Sequence, residues 1–276
     1  MISKSKRLIS ELTGVFLAAV LFGIPFYFVI NNASKNAQEA SLMNIKAPAE
    51  FLLFNNISEV LATNKGIVIT AFKNSFLITI FSIMVLILSC SMAGFVSQRR
   101  TDKATPVINF MILAGLIIPP AIVPTIWLLM SLNIFKTMFS MVMIEAALTM
   151  SFSTLLYKGF TATIPRQIDE AAIVDGAGPL RLFFQIIFPL LKPTTATVIV
   201  LSSVNIFNDF VNPLYFFPGG KNATVQLTLY NFMSKYHSSW HLLFTDVLII
   251  SIPPLILFIF FNRKIIAGMS AGAIKG

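Results

Sequence analysis

Three carboxyl groups are the best candidates for functional chemistry in this sequence, because each interrupts a long apolar stretch. They belong to Glu145, Asp209 and Asp246. An ionisable group at membrane depth is costly, so it usually faces a bundle interior or water and marks a functional site. Asn205 and Asn208 precede Asp209 at a spacing that places i, i+3 and i+4 on one helical face. The candidates for lining a polar pathway are therefore Glu145, Asn205, Asn208 and Asp209. Asp246 is expected near the outer end of its stretch, within reach of water.

Each of these candidates has a structural alternative. Capping of a helix end explains Asp209 equally well, and a bond to a neighbouring helix explains Glu145. Trp127 and Tyr215 suit stacking on the apolar face of a bound solute and also join the candidate pathway residues, but aromatic side chains gather at membrane interfaces too.

Metal and disulfide chemistry have little support. His237 and His241 have a spacing that can hold a metal on a helix, but no carboxylate or thiolate lies nearby in the sequence. Cys90 is the one cysteine and lies in an apolar run, so no disulfide within the chain is possible.

A polar segment from Ile164 to Pro193 carries a second pattern, and it reads IPRQIDEAAIVDGAGPLRLFFQIIFPLLKP. Pro165 suits the first turn of a helix, and Gly176 and Gly178 can close that helix in the left-handed conformation. The pattern predicts a short helix over residues 166–175, followed by an apolar stretch that leads back to the membrane.

The side chains of this predicted helix suit contact with a partner protein. Ala171 and Ala172 lack bulk, so another surface can approach the backbone closely, while carboxylates are available to hydrogen-bond donors. These carboxylates are Asp169, Glu170 and Asp175. An interfacial amphipathic helix that only anchors the loop to the bilayer is the alternative.

The elements that must position these residues are membrane-spanning helices. Of the 276 residues, 56% are hydrophobic and 11% are charged, against roughly a quarter charged in an average soluble chain. A bilayer core about 30 Å thick demands helices of about 20 apolar residues, and the sequence supplies about six. We predict an all-α protein with a single transmembrane domain over residues 1–276. The predicted spans are 12–30, 75–97, 107–132, 138–156, 194–213 and 242–261, with the loop 164–193 in the cytoplasm.

Prolines and basic residues add detail to this topology. Prolines at 119, 120 and 124 predict a kink in the third span, and those at 253 and 254 predict one in the sixth. The net charge is +9, but the basic residues flank the spans instead of forming a stripe, which argues against a nucleic-acid-binding protein. With both termini in the cytoplasm, 13 Lys and Arg lie inside and seven outside, which favours this orientation. The run 12–30 is too long for an ordinary signal peptide, so we expect a retained helix.

The spacing in the polar segment resembles the signature loop of permease subunits of bacterial ABC importers. That signature reads Glu-Ala-Ala, three residues, Gly, nine residues, then Ile-x-x-Pro. The matching positions here are Glu170, Ala171, Ala172, Gly176, Ile186 and Pro189, and Phe188 replaces the usual Leu.

Other motifs resemble the carbohydrate-uptake branch, which includes the maltose-type inner-membrane subunits. Phe207-Asn208-Asp209-Phe210 is similar to that branch's W-N-D-F pattern, with Phe207 in place of Trp. Pro213-Leu214, Ile164-Pro165, Asp175-Gly176-Ala177, Asn74-Ser75 and the closing Lys275-Gly276 also look like that branch.

The resemblance implies a MetI-like permease fold in a bacterial inner or plasma membrane and a division of labour. A cytoplasmic ATPase dimer would receive the helix that contains Glu170, Ala171, Ala172, Asp175 and Gly176. A second homologous permease subunit would complete the pathway, and an extracellular or periplasmic sugar-binding protein would deliver substrate. ATP and Mg would bind to the ATPase, and no cofactor to this chain, which agrees with the absence of a G-x-x-x-x-G-K-[ST] motif.

Two other classes fit the composition. A secondary transporter or channel would also place kinked helices and buried carboxylates around a pore, but it needs no ATPase partner. An intramembrane enzyme lacks support, because no H-E-x-x-H motif occurs. We therefore expect a non-enzymatic transport subunit in contact with lipid.

Overall fold

The structure is a computed structural model that describes residues 4–233 and 238–273, with side chains over 11–233 and 238–261. In chain order the helices are α1 Lys4–Ala33, α2 Ala37–Ser41, α3 Leu53–Ala62, α4 Ile67–Arg99, α5 Thr105–Ile117, α6 Ile122–Ser131, α7 Met138–Thr161, α8 Arg166–Val174, α9 Pro179–Arg181, α10 Phe188–Leu190, α11 Lys192–Phe207, α12 Val211–Phe216, α13 Val225–Thr228 and α14 Trp240–Ala273. A π-helical stretch, Leu182–Ile187, joins α9 to α10. Short 3-10 turns cover Thr63–Lys65, Gly220–Asn222 and Leu229–Asn231.

Four helices in the described part of the chain are long and apolar enough to cross a membrane: Glu11–Ala33, Ile67–Arg99, Met138–Thr161 and Trp240–Phe261. Two bent pairs raise the number to six if each pair is one span. The pair α5 and α6 bends by 114°, and the pair 179–190 and 192–207 bends by 73°. Multi-pass membrane character follows from these helices, because their exposed faces are rich in Leu, Ile, Val and Phe.

The third predicted span is two helices. The break covers residues 118–121, and Ile118 has an extended ψ of 119° because it precedes Pro119. Pro119 and Pro120 therefore end α5, while Pro124 lies in the first turn of α6. By contrast, α14 continues through Pro253 and Pro254 as one helix.

Other predicted boundaries also shift. The second span starts at Ile67 instead of residue 75, and the loop before it contains α2 and α3. The fifth predicted span, 194–213, divides into α11 and α12 at Asn208–Phe210.

One compact unit comprises residues 1–69 and 226–252. Phe28 of α1 packs edge-on against Phe244 of α14, with ring centroids 5.5 Å apart. The loop after α1 folds back onto that helix, because the side-chain amide of Asn31 in α1 donates to the backbone oxygen of Lys46 at 2.9 Å. Within the loop, the Nζ of the buried Lys35 donates to the backbone oxygen of Asn44 at 2.7 Å and to its Oδ1 at 3.0 Å. Burial lowers the pKa of Lys35, and the nearby Glu39 carboxylate partly opposes that shift.

The second unit comprises residues 70–225 and 253–276, and α7 is more buried than the other long apolar helices that could cross a membrane. Polar side chains tie α7 to its neighbours, as expected where the surrounding lipid offers no hydrogen bonds. The Tyr157 hydroxyl donates to Thr195 Oγ1 of α11 at 3.0 Å, and Lys158 Nζ donates to Asn109 Oδ1 of α5 at 2.6 Å. Ser82 Oγ of α4 donates to the Val142 backbone oxygen at 3.1 Å.

Candidate functional site

The helix predicted in the polar segment is present as α8, from Arg166 to Val174. Its end is a Schellman motif, in which the Gly176 N–H donates to the Ile173 oxygen at 3.0 Å and the Ala177 N–H to the Ala172 oxygen at 2.9 Å. Gly176 has φ +79°, a left-handed conformation that a side chain would strain. The prediction was wrong for Gly178, which has φ −69° because the turn is already complete at Gly176.

Two faces of α8 have different surroundings. Ala172 is buried in the apolar core, and Ile168 packs against the same core. The small side chain of Ala172 therefore serves packing within the chain. Exposed on the other side are Glu170, Ala171, Asp175 and Gly176.

Exposed apolar side chains adjoin these residues. Ile173 is 60% exposed and Val174 is 85% exposed, and Leu180 after the turn is 68% exposed. Several large apolar side chains exposed on a short polar helix and on the segment after it are typical of a protein contact. We call Glu170, Ala171, Ile173, Val174 and Asp175 the coupling surface.

The chain returns to the core after α8 through the π-helical stretch. Phe183 and Ile187 are buried, and Phe183 contacts the rings of Phe95 and Phe188 at 5.7 and 6.0 Å between centroids. π-Helical turns are rare and often occur at functional sites. The signature position Ile186 packs against the core, whereas Pro189 is exposed.

The second candidate site is the polar break between α11 and α12. Asp209 lies in this break, not on α11, so the predicted shared helical face of Asn205, Asn208 and Asp209 was wrong. Asp209 Oδ1 accepts from the backbone N–H of Val211 at 2.8 Å and of Asn212 at 3.3 Å. Oδ2 accepts from the Asn212 side-chain amide. Asp209 therefore holds the start of α12, which is the structural alternative that the sequence left open.

Glu145 of α7 reaches the same break. Its carboxyl group lies beside the side chains of Asp209 and Asn212. The residue is only 2% exposed, and its Oε1 has no hydrogen-bond partner in the structure. Two carboxyl groups predicted separately thus meet in one polar cluster, in which Glu145 is buried and Asp209 is half-buried. Asn212 was missed, because nothing in the sequence marks it apart from its place one turn after Asp209.

The remaining pathway candidates are exposed on the surface of the chain. Asn205 and Asn208 are exposed at the end of α11, and Tyr215 of α12 is 45% exposed. Trp127 of α6 is 68% exposed. Phe207, at the position where the resembled pattern has Trp, is buried against the rings of Phe72 and Phe76 at 6.4 and 5.5 Å.

Two further expectations concern the other unit. Asp246 is fully buried instead of near water, and its Oδ2 accepts from Thr228 Oγ1 at 2.7 Å. Its prediction from position alone was wrong because α13 covers it. His237 lies outside the described residues, as do Lys275 and Gly276. Among the described residues, no three His, Cys, Asp or Glu side chains group in a way that could hold a metal ion.

Comparison with known proteins decides the family. Residues 85–270 match the family described as the binding-protein-dependent transport system inner membrane component. The chain belongs to this family. It is 34% identical to the melibiose/raffinose/stachyose import permease protein MelC of Bacillus subtilis (strain 168), over 99% of this chain and 98% of the relative. It is 29% identical to the probable starch degradation products transport system permease protein AmyC of Thermoanaerobacterium thermosulfurigenes, over 95% and 94% of the two chains.

A solved structure supports the fold of this transport component. The chain aligns with a bacterial ABC transporter involved in the import of the acidic polysaccharide alginate, with a TM-score of 0.80 and 16% identity over 95% of this chain and 98% of that one. These findings confirm the predicted all-α permease fold and the predicted family of ABC importer permeases.

Proposed function

We propose that this inner membrane component is the permease subunit through which a carbohydrate importer moves a neutral sugar or oligosaccharide into the cytoplasm. The relatives named for melibiose, raffinose and stachyose import and for starch degradation products support a carbohydrate substrate. A third relative, 28% identical, is the multiple sugar-binding transport system permease protein MsmG of Streptococcus mutans serotype c. The polar break offers amide and carboxylate groups that suit sugar hydroxyls.

The observation that carries the proposal is the coupling surface on α8. Val174 is 85% exposed beside Glu170 and Asp175, on a helix that ends in a Schellman motif and has a buried inner face. A cytoplasmic ATPase dimer is the partner we propose for this surface, with ATP and Mg bound by the ATPase. This assignment places both termini and α8 in the cytoplasm, as the distribution of basic residues favours.

A second permease subunit and an extracytoplasmic sugar-binding protein complete the proposed assembly. One chain of this size supplies only one side of a pathway. Asn205, Asn208 and Tyr215 are exposed, so they are available to a solute or to the second subunit. We propose that the polar break, with Glu145 and Asp209 behind it, is the part of this chain that faces the solute.

Uptake by reconstituted vesicles tests this proposal. Proteoliposomes with both permease subunits and the ATPase enclose ATP, and the binding protein is added outside with a labelled α-galactoside, maltooligosaccharide or acidic oligosaccharide. We expect uptake of a neutral oligosaccharide that requires ATP, ATPase and binding protein together. Equal uptake without the ATPase would instead indicate a secondary transporter or channel, and uptake limited to acidic oligosaccharides would contradict the substrate class.

A further inference from the structure

Arg99, the last residue of α4, makes a partly buried ion pair with the first half of α8. Its Nε lies 2.6 Å from Asp169 Oδ2, and its Nη2 donates to Asp169 Oδ1 at 3.3 Å. Both side chains are only 13% exposed. The Nη2 contact is a directed hydrogen bond, whereas the Nε contact is a close ion pair without hydrogen-bond geometry, so one guanidinium touches both carboxylate oxygens.

A third contact extends this pair to the entry of α8. Arg99 Nη2 also donates to the backbone oxygen of Ile164 at 3.0 Å, and Ile164 is followed by Pro165 at the N-cap of the helix. One side chain therefore holds the chain before α8 and a residue within α8.

The guanidinium also lies over the ring of Phe95, 5.9 Å from its centroid. The Phe95 ring contacts that of Phe183 in the π-helical stretch after α8, at 5.7 Å. Arg99 and Phe95 thus connect α4 with the segments on both sides of the turn at Gly176.

The neighbouring residue provides a contrast. Arg100 pairs with Asp102, but these side chains are 54% and 42% exposed and lie two positions apart in the chain. Exposed ion pairs contribute little to stability and are screened by salt. The Arg100 pair therefore joins α4 to its own following loop.

We infer that Arg99 is the positioning residue that locks α4 to α8, so that movement of α8 by the ATPase is passed to α4 as well as to α7. This inference rests on the proposed function. α8 follows α7 through a short connection, so α7 is linked to it covalently. α4 has no such connection and packs against α7, and the Arg99 contacts add its polar link to α8 itself.

The test compares R99Q with the matched control R100Q in the assembled importer in proteoliposomes. Sugar transported per ATP hydrolysed is measured together with ATPase co-purification. We expect R99Q to keep the ATPase, because the coupling surface is unchanged, and to lower transport per ATP by a factor between about 2 and about 30, the range for residues that carry coupling between sites. D169N should reduce it similarly, whereas R100Q should match the wild type.

Several outcomes would overturn the inference. If wild type transports with ATP and R99Q has the same transport per ATP as R100Q, Arg99 carries no coupling. R99K covers the case in which R99Q does not assemble, because Lys keeps the charge but has no fork to contact Asp169 and Ile164 together. R99K with full coupling, or failure of both variants to assemble, would also refute the inference and leave Arg99 as a folding residue. If wild type itself shows no ATP-dependent uptake, the proposed function fails instead.

Discussion

Gly94 gives the sharpest stability prediction because α4 and α7 come closest there. A Cβ atom at Gly94 would lie 2.6 Å from Tyr157 Cβ and 2.8 Å from the Lys158 backbone nitrogen. Neither atom can move by side-chain rotation. Carbon atoms pack best at about 3.5–4.0 Å, so G94A requires the two helices to separate locally by about 1 Å.

The size of the effect follows from two opposing terms. Overpacking of a filled interior costs about 1–3 kcal/mol. Replacing a helical glycine with alanine recovers up to about 1 kcal/mol of helix propensity. The net loss is about 0–2 kcal/mol, and at about 2–4 °C per kcal/mol the expected fall in Tm is up to about 8 °C.

Two other glycines serve as matched controls. A Cβ at Gly159 has no atom within 4 Å, so G159A should leave Tm unchanged or slightly higher. At Gly115 the obstacle is the Ser151 hydroxyl, which can rotate away, so G115A should fall between the other two. Cys90 is buried and is the one cysteine, so a thiol-reactive dye reports unfolding of the purified protein. A Tm for G94A as high as that of G159A would refute the packing argument.

The other stability predictions concern buried polar groups. E145Q should keep Tm and uptake close to wild type, because its amide can donate to Asp209. E145A should lose about 1–3 kcal/mol of folding stability, because it leaves polar partners unpaired. Equal losses in both variants, measured by dye binding and uptake, would contradict the polar contact between Glu145 and Asp209. Burial lowers the pKa of Lys35 in the folded chain, so the unfolded chain binds more protons between the two pKa values and stability should rise with pH just below the ordinary lysine pKa. K35M should abolish this rise of Tm with pH between mildly and strongly alkaline buffer. An unchanged rise in K35M would mean that other groups cause it.

The sequence predicted the elements better than their contacts. Apolar stretches bounded by charge fix where helices must lie, and Pro165 and Gly176 mark the ends of α8 because their backbone preferences are local. The break at Pro119 and Pro120 was predicted as a kink, but its 114° angle depends on packing that hydropathy does not describe.

Contacts between distant residues were not predictable from the sequence. Glu145 and Asp209 meet because α7 packs beside the break after α11, and neither residue reveals the other in the sequence. Arg99 was counted only as a topology signal, yet it binds Asp169 across helices. Asp246 was placed near water from its position in α14, but residues from α13 bury it, which only tertiary structure can show.

The coupling surface on α8 carries the proposed function. Substitution of Gly176 tests it, with Gly178 as the control position. G176V places a branched side chain at φ +79°, which should distort the turn that ends α8. G178A is harmless by the same criteria, with φ −69° and no atom within 4 Å of a new Cβ.

The measurement is ATPase co-purification together with ATP-dependent sugar uptake for wild type, G176V, E170A and G178A. The account predicts loss of both activities in G176V, reduced ATPase retention in E170A, and wild-type behaviour in G178A. Normal uptake by G176V and E170A would contradict the claim that the ATPase acts on this chain through α8.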